Sequence, residues 1–90
     1  MIRRHMTVYG QVQGVGFRYQ AQRAAELFGC TGWVRNEWDG SVVMELQGSG
    51  AQIARVLFTI KRNHFIRIER IESEDTALIP DERRFRIIGY

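Results

Sequence analysis

One cysteine, one proline and two histidines are all that this chain of 90 residues has of the residues that staple, break or ligate. A lone Cys30 excludes an internal disulfide, and its place after an apolar helical pattern reads as a small buried residue. His5 and His64 stand far apart, fit no ligand spacing such as H-E-x-x-H, and read as surface or loop residues, so no metal and no organic cofactor is expected. No apolar run approaches the ~20 residues of a membrane span, and Met1-Ile2-Arg3-Arg4-His5 leads into no signal-peptide core. A cytoplasmic location is therefore the default, with Arg3-Arg4 read as a solvated tail. Repeats, low-complexity tracts and linkers are missing too. The expectation is one domain over residues 1–90, burying about 60–65% of the surface its unfolded chain exposes.

What is present is a clear succession of periodicities. Met6, Val8, Gly10 and Val12 share one face at period two, which predicts a half-buried strand. Phe17, Ala21, Ala24, Ala25 and Phe28 then recur at spacings of three and four, so a helix begins near Phe17 or Arg18 and ends around Gly29. Gly32 to Asn36 reads as a short strand, Glu37-Trp38-Asp39-Gly40 as a hairpin turn, and Ser41 to Gln47 as the return strand. Ser49 with Gln52 resembles a capping box before a second helix whose apolar face is Ile53, Val56, Leu57 and Ile60. Ile66 to Glu74 and Phe85 to Tyr90 alternate as later strands, with Pro80 between them. This order predicts an α+β, ferredoxin-like sandwich: βαββαβ with an extra C-terminal strand, a mostly antiparallel sheet and two helices on one face.

The candidate functional segment is Gln13-Gly14-Val15-Gly16-Phe17-Arg18, at the junction of the first strand and first helix. A helix N-terminus presents unpaired N–H groups and about half a positive charge, and glycines allow close approach of an oxyanion. Arg18 adds a planar fork suited to two phosphate oxygens. The loop matches neither G-x-x-x-x-G-K-[ST] nor G-x-G-x-x-G, and on composition alone a glycine-rich turn with a solvated arginine reads equally well. In the predicted fold the first two strands are parallel with the third between them. The loop and Asn36 then lie at the same sheet edge, two strand spacings or roughly 10 Å apart.

With both segments in view, Gly10-x-Val12-Gln13-Gly14-Val15-Gly16-Phe17-Arg18 and Gly32-Trp33-Val34-Arg35-Asn36-x-x-Asp39-Gly40-x-Val42 resemble the acylphosphatase family. The resemblance is dense from Gly10 to Gly48 and weaker beyond. It implies that Arg18 and the backbone amides of residues 14 to 18 bind the phosphate of a small acyl phosphate, and that Asn36 orients the attacking water. It also implies that the substrate phosphate takes the proton. On this reading Gln13, Gly14, Val15, Gly16, Phe17 and Arg18 are the substrate-binding residues, and Arg18 and Asn36 the catalytic ones. The chemistry fits the residues available: a carboxylate of pKa about 4 leaves without a general acid, and phosphoryl transfer asks mainly for positioning and charge stabilisation.

Some features depart from the family pattern. Lys61 to Phe65 lacks the usual Gly-Pro pair, and the ending Phe85-Arg86-Ile87-Ile88-Gly89-Tyr90 is one residue longer than usual. Trp38 replaces a more usual polar residue, either shaping the acyl pocket or packing across the hairpin. The alternative function is a non-catalytic acyl-phosphate or carbamoyl-phosphate binding module, similar to the acylphosphatase-like domain of hydrogenase-maturation carbamoyltransferases. There a proline commonly follows the arginine; here Tyr19 follows Arg18 and no further domain succeeds, which favours a free enzyme acting as a monomer. The net charge of +3 raises a nucleic-acid partner, since RNA-recognition modules share this element order. Such modules stack bases on aromatics of the first and third strands, and the third strand here has none, so no nucleic-acid partner is expected. The charges at Arg67, Arg70, Arg83, Arg84 and Arg86, interleaved with Glu69, Glu72, Glu74, Asp81 and Glu82, read as solvated strand surface.

Overall fold

Alternating burial of Met6 and Val8 commits the first strand to a sheet, and the computed structural model, which describes residues 1–89, extends that strand to Ile2–Gln11 (β1). Helix α1 (Phe17–Phe28) follows, burying Phe17, Ala21, Ala24 and Ala25; its alanines let the helix axis come close to the sheet. Gly29, at φ 74°, ends the helix, and the Cys30 amide donates to the Ala25 carbonyl at 2.8 Å. The chain continues through β2 (Thr31–Asn36), β3 (Val42–Gly48), α2 (Gly50–Lys61), β4 (Arg67–Thr76) and β5 (Phe85–Ile87). The capping box at Ser49 and Gln52 forms as expected, with bonds of 3.0 and 2.7 Å. Gln52 Nε2 also donates to the Phe28 carbonyl at 2.9 Å, which locks the end of α1 to the start of α2.

The sheet order is β4-β1-β3-β2-β5, antiparallel except for the parallel β2–β5 pair. This is the ferredoxin-like arrangement with an added strand. Because β1 and β2 both run antiparallel to β3, they are parallel to each other, and α1 runs back between them. The core lies between the sheet and the helices, where Met44, Leu46, Val34 and Phe85 meet Ile53, Val56 and Ile60. Gly32 is required at φ 143°, since a Cβ there would stand 1.8 Å from the Glu45 carbonyl oxygen. No helix among the described residues is long and apolar enough to cross a membrane.

The opposite face corrects two expectations. Arg3 is 1% exposed rather than a solvated tail. Its Nε lies 2.5 Å from Glu45, its Nη1 2.7 Å from Glu82, and the same Nη1 donates to Gln47 Oε1 at 3.1 Å. Gln47 in turn exchanges two bonds with the backbone of Ile79, so the segment before β5 is clasped over the sheet. Glu82 thus belongs to a buried ion cluster, not to solvated strand surface. His5 joins it, Nδ1 lying 2.7 Å from Glu45, with its ring edge toward Trp33. Burial alone would raise the Glu45 carboxyl, but the His5 and Arg3 contacts outweigh it and hold the group below its ordinary value.

Other local expectations divide. Cys30 is buried, and burial pushes its thiol pKa up. Trp38 is 97% exposed, so it neither shapes a pocket nor packs across the hairpin. In place of Gly-Pro, the segment after α2 turns on Asn63, whose Oδ1 accepts from the Phe65 amide at 2.9 Å. The last strand is shorter than predicted, ending at Ile87, and Tyr90 lies outside the described residues.

Candidate active site

Gly14 and Gly16 adopt φ values of 74° and 84°, while Val15 between them does not take positive φ. Alternation of this kind turns successive amides toward one side and makes a concave backbone nest for an anion. No atom lies within 4 Å of where a Cβ would stand on either glycine, so backbone conformation rather than packing demands glycine there. Gly16 is also the N-cap of α1, with no side-chain cap and no acidic residue in the first turn. The first-turn amides therefore find no acceptor from those sources, and the helix adds its partial positive charge to the same point.

Arg18 is half-buried in that first turn and has no carboxylate partner among the described residues. Asn36 comes from the other side. It is the last residue of β2, paired with Val42 of β3, and shares the helix-facing side of the sheet with Gly32 and Val34. Its position is set by a well-bonded hairpin. The Glu37 amide donates to the Ser41 carbonyl at 2.9 Å, and Gly40 at φ 92° closes the turn. Asp39 Oδ1 accepts from the Ser41 amide and hydroxyl at 2.9 and 2.6 Å, contacts that hold its carboxyl below the usual range.

These groups converge on one cleft of about 270 Å³, lined by Gly14, Gly16, Phe17, Arg18 and Asn36 together with Val12, Tyr19 and Ile87. A water takes about 30 Å³ of the liquid, so the cleft has room for a phosphoryl group, a water and several carbon atoms. Two of the residues expected at the site stand behind it. Val15 packs on the core. The Gln13 side chain spends its amide on the hairpin, Nε2 donating to the carbonyls of Glu37 at 2.6 Å and Ser41 at 2.8 Å. It thereby ties the loop to the strand end that carries Asn36. No group of three His, Cys, Asp or Glu side chains able to hold a metal occurs among the described residues.

Sequence reasoning missed Val12, Tyr19 and Ile87. Tyr19 was open to discovery, since it occupies the same first turn as Arg18. Ile87 was not, because its place depends on the parallel pairing of Val34 with Ile87, 53 positions further along the chain.

The acylphosphatase family model matches residues 4–87. An acylphosphatase of Geobacillus thermodenitrificans is 44% identical over 89 residues, covering 98% of this chain and 95% of the relative. The crystal structure of acylphosphatase from Bacillus subtilis superposes with a TM-score of 0.89 at 30% identity, covering 99% of this chain and 100% of that one. Full-length HypF in its phosphate- and nucleotide-bound form also superposes, with a TM-score of 0.82 at 25% identity, over 98% of this chain but 12% of HypF. A family match over nearly the whole chain, together with relatives matched along almost their full length, shows that the chain belongs to the acylphosphatase family.

Proposed function

We propose that the protein hydrolyses the carboxyl-phosphate bond of small acyl phosphates, giving a carboxylate and inorganic phosphate. The observation that carries this reading is the juxtaposition of a glycine nest without a side-chain cap, Arg18 and Asn36 around one cleft whose lining has no carboxylate. The nest and Arg18 hold the phosphoryl oxygens and stabilise the charge that develops on them. The Asn36 side-chain carbonyl accepts a hydrogen bond from water and aims its oxygen at phosphorus. The water oxygen forms the new P–O bond as the bond to the acyl oxygen breaks. Its electron pair leaves with the carboxylate, and the water proton passes to a phosphoryl oxygen. An acyl phosphate dianion and water thus give a carboxylate and dihydrogen phosphate.

No general acid is needed because the leaving group is a weak base, with a conjugate acid of pKa about 4. A phosphate monoester expels an alkoxide and should turn over far more slowly. We further take the protein to act as one domain over residues 1–90, a cytoplasmic monomer without a nucleic-acid partner. The absence of aromatics from β3 supports the last of these.

The likeness to HypF favours a second reading, a non-catalytic acyl-phosphate or carbamoyl-phosphate binding module. One experiment separates the two. Phosphate release is followed from acetyl phosphate, benzoyl phosphate and a phosphate monoester, with and without a chelator. Fast, chelator-insensitive release from the two anhydrides supports the enzyme. Phosphate binding without turnover of either anhydride supports the binding module, and activity lost to chelator and restored by magnesium overturns the metal-free mechanism.

A further inference from the structure

The lining of the cleft divides into two kinds of chemistry. It includes the glycine loop, Arg18 and Asn36 on the polar side of that division, and the apolar or aromatic side chains of Val12, Phe17, Tyr19 and Ile87 on the other. Val12 and Phe17 line the cleft and are buried. Tyr19 and Ile87 stand at its rim, 54% and 38% exposed. Ile87 lies on the same face of β5 as buried Phe85 and pairs with buried Val34, so it sits on the side of the sheet that the helices cover. Helix α1 runs antiparallel to β5, and Gln22 Nε2 reaches the Phe85 carbonyl at 3.4 Å. Two residues further along the strand, Ile87 therefore falls opposite the start of α1. That start is where the helix gives way to the loop, which leaves the side chain partly uncovered.

Tyr19 is fixed from its own helix. Arg23 Nη1 donates to the tyrosine hydroxyl at 2.9 Å, and the guanidinium carbon lies 5.5 Å from the ring centre. An arginine that anchors the hydroxyl one turn down the helix lowers the ring's freedom before anything binds, and preorganised aromatic surface is efficient at binding flat apolar groups. With a phosphoryl group in the nest, its acyl substituent projects outward through one bridging oxygen. The apolar surface within reach is the rim formed by Tyr19 and Ile87.

We propose that Tyr19 and Ile87 form an acyl-group subsite that favours acyl phosphates bearing a flat or branched apolar acyl group over acetyl phosphate. This rests on reading the cleft as the site of acyl phosphate hydrolysis. The rim residues act on selectivity, through contacts that an acetyl group is too short to make in full.

The test measures kcat/KM for benzoyl and acetyl phosphate with the wild-type chain and with Tyr19→Ala, Ile87→Ala and Tyr19→Phe. Wild type should prefer benzoyl phosphate, and each alanine variant should lower the benzoyl-to-acetyl ratio by about tenfold, in the range that a lost apolar contact produces. The loss should appear mainly in KM for benzoyl phosphate. Tyr19→Phe keeps the ring and should hold most of the preference. Both side chains are solvent-exposed, so the variants fold, and circular dichroism checks this. A ratio unchanged in both alanine variants, or a wild type that prefers acetyl phosphate, overturns the subsite while leaving the hydrolase reading intact. A wild type that hydrolyses neither substrate overturns both.

Discussion

Replacing Arg18 probes the charge at the centre of the site. The side chain is half-buried in the first turn of α1 with no carboxylate partner among the described residues, so its charge is not already neutralised within the fold. Two unit charges 4 Å apart at an effective dielectric of 20 attract by about 4 kcal/mol, which bounds the effect from above. Removing one preorganised donor from a developing oxyanion typically costs about 2.7–4 kcal/mol, or 10²–10³ in rate. Arg18→Ala should therefore lower kcat/KM for benzoyl phosphate by about 10²–10³ and weaken competitive inhibition by inorganic phosphate. Arg18→Lys keeps a charge but loses one prong of the fork. One charge-assisted hydrogen bond at about 1.5–3 kcal/mol predicts a residual defect of about 10- to 100-fold. The assay is steady-state phosphate release, with circular dichroism to show that each variant is folded. A folded Arg18→Lys enzyme with near wild-type kcat/KM would refute the two-pronged clamp.

Asn36→Ala should depress kcat by about 10² or more while leaving phosphate inhibition nearly unchanged, because a water-holding group contributes little to ground-state binding; a wild-type turnover rate removes Asn36 from the mechanism. Gln13→Ala cuts the two bonds from the loop to the Glu37 and Ser41 carbonyls and should lower kcat about tenfold without unfolding the protein; a change in phosphate affinity with kcat intact would make Gln13 a ligand-binding residue instead. Because Glu45 titrates below its ordinary value in the folded state, its contribution to stability is present above the unfolded pKa and is lost as pH falls through the folded one. Urea midpoints should thus drop on the acid side of about pH 4.5 in wild type, and drop less steeply in Glu45→Gln. Gly32→Ala should destabilise by more than about 2 kcal/mol, since the added carbon meets the Glu45 backbone rather than a movable side chain; a urea midpoint equal to wild type would contradict that contact.

The element order and the family motif were legible because their signals are local. Periods of two and three to four, a capping box and two glycines beside an arginine can each be read within a dozen residues. The Arg3 cluster could not be read that way. Adjacent arginines near a chain start look like a tail, and only the pairing of Arg3 with Gln47 in β3, together with the return of Glu82 from beyond β4, makes the position a buried one. Trp38 misled for the opposite reason. A large aromatic beside the site motif carries a strong expectation of packing, yet it occupies a hairpin tip that the tight Glu37 to Ser41 turn lifts clear of the sheet. Gln13 was expected among the substrate-binding residues, but its side-chain amide is bonded to backbone carbonyls 24 and 28 residues away, which no residue pattern announces.

The placement of the cleft follows from topology more than from any single residue. Inserting β3 between β1 and β2 separates their ends by two strand spacings, roughly 10 Å, so the loop leaving β1 and the strand end carrying Asn36 face each other across a gap rather than pairing. Paired strand ends would have satisfied their own backbone groups. Here the amides after β1 are instead turned by Gly14 and Gly16 toward the gap, and the chain re-enters the core at Phe17, which anchors the start of α1. The buried Phe17 and the exposed-side Arg18 are consecutive, so the anchoring of one orients the other. Gln13 then spans the gap at its base and fixes its width. A site made this way needs few side chains, because the backbone supplies most of the donors and the sheet holds them. That economy suits a reaction whose leaving group departs without protonation, and it explains why a chain this short can hold both the cradle and an apolar rim.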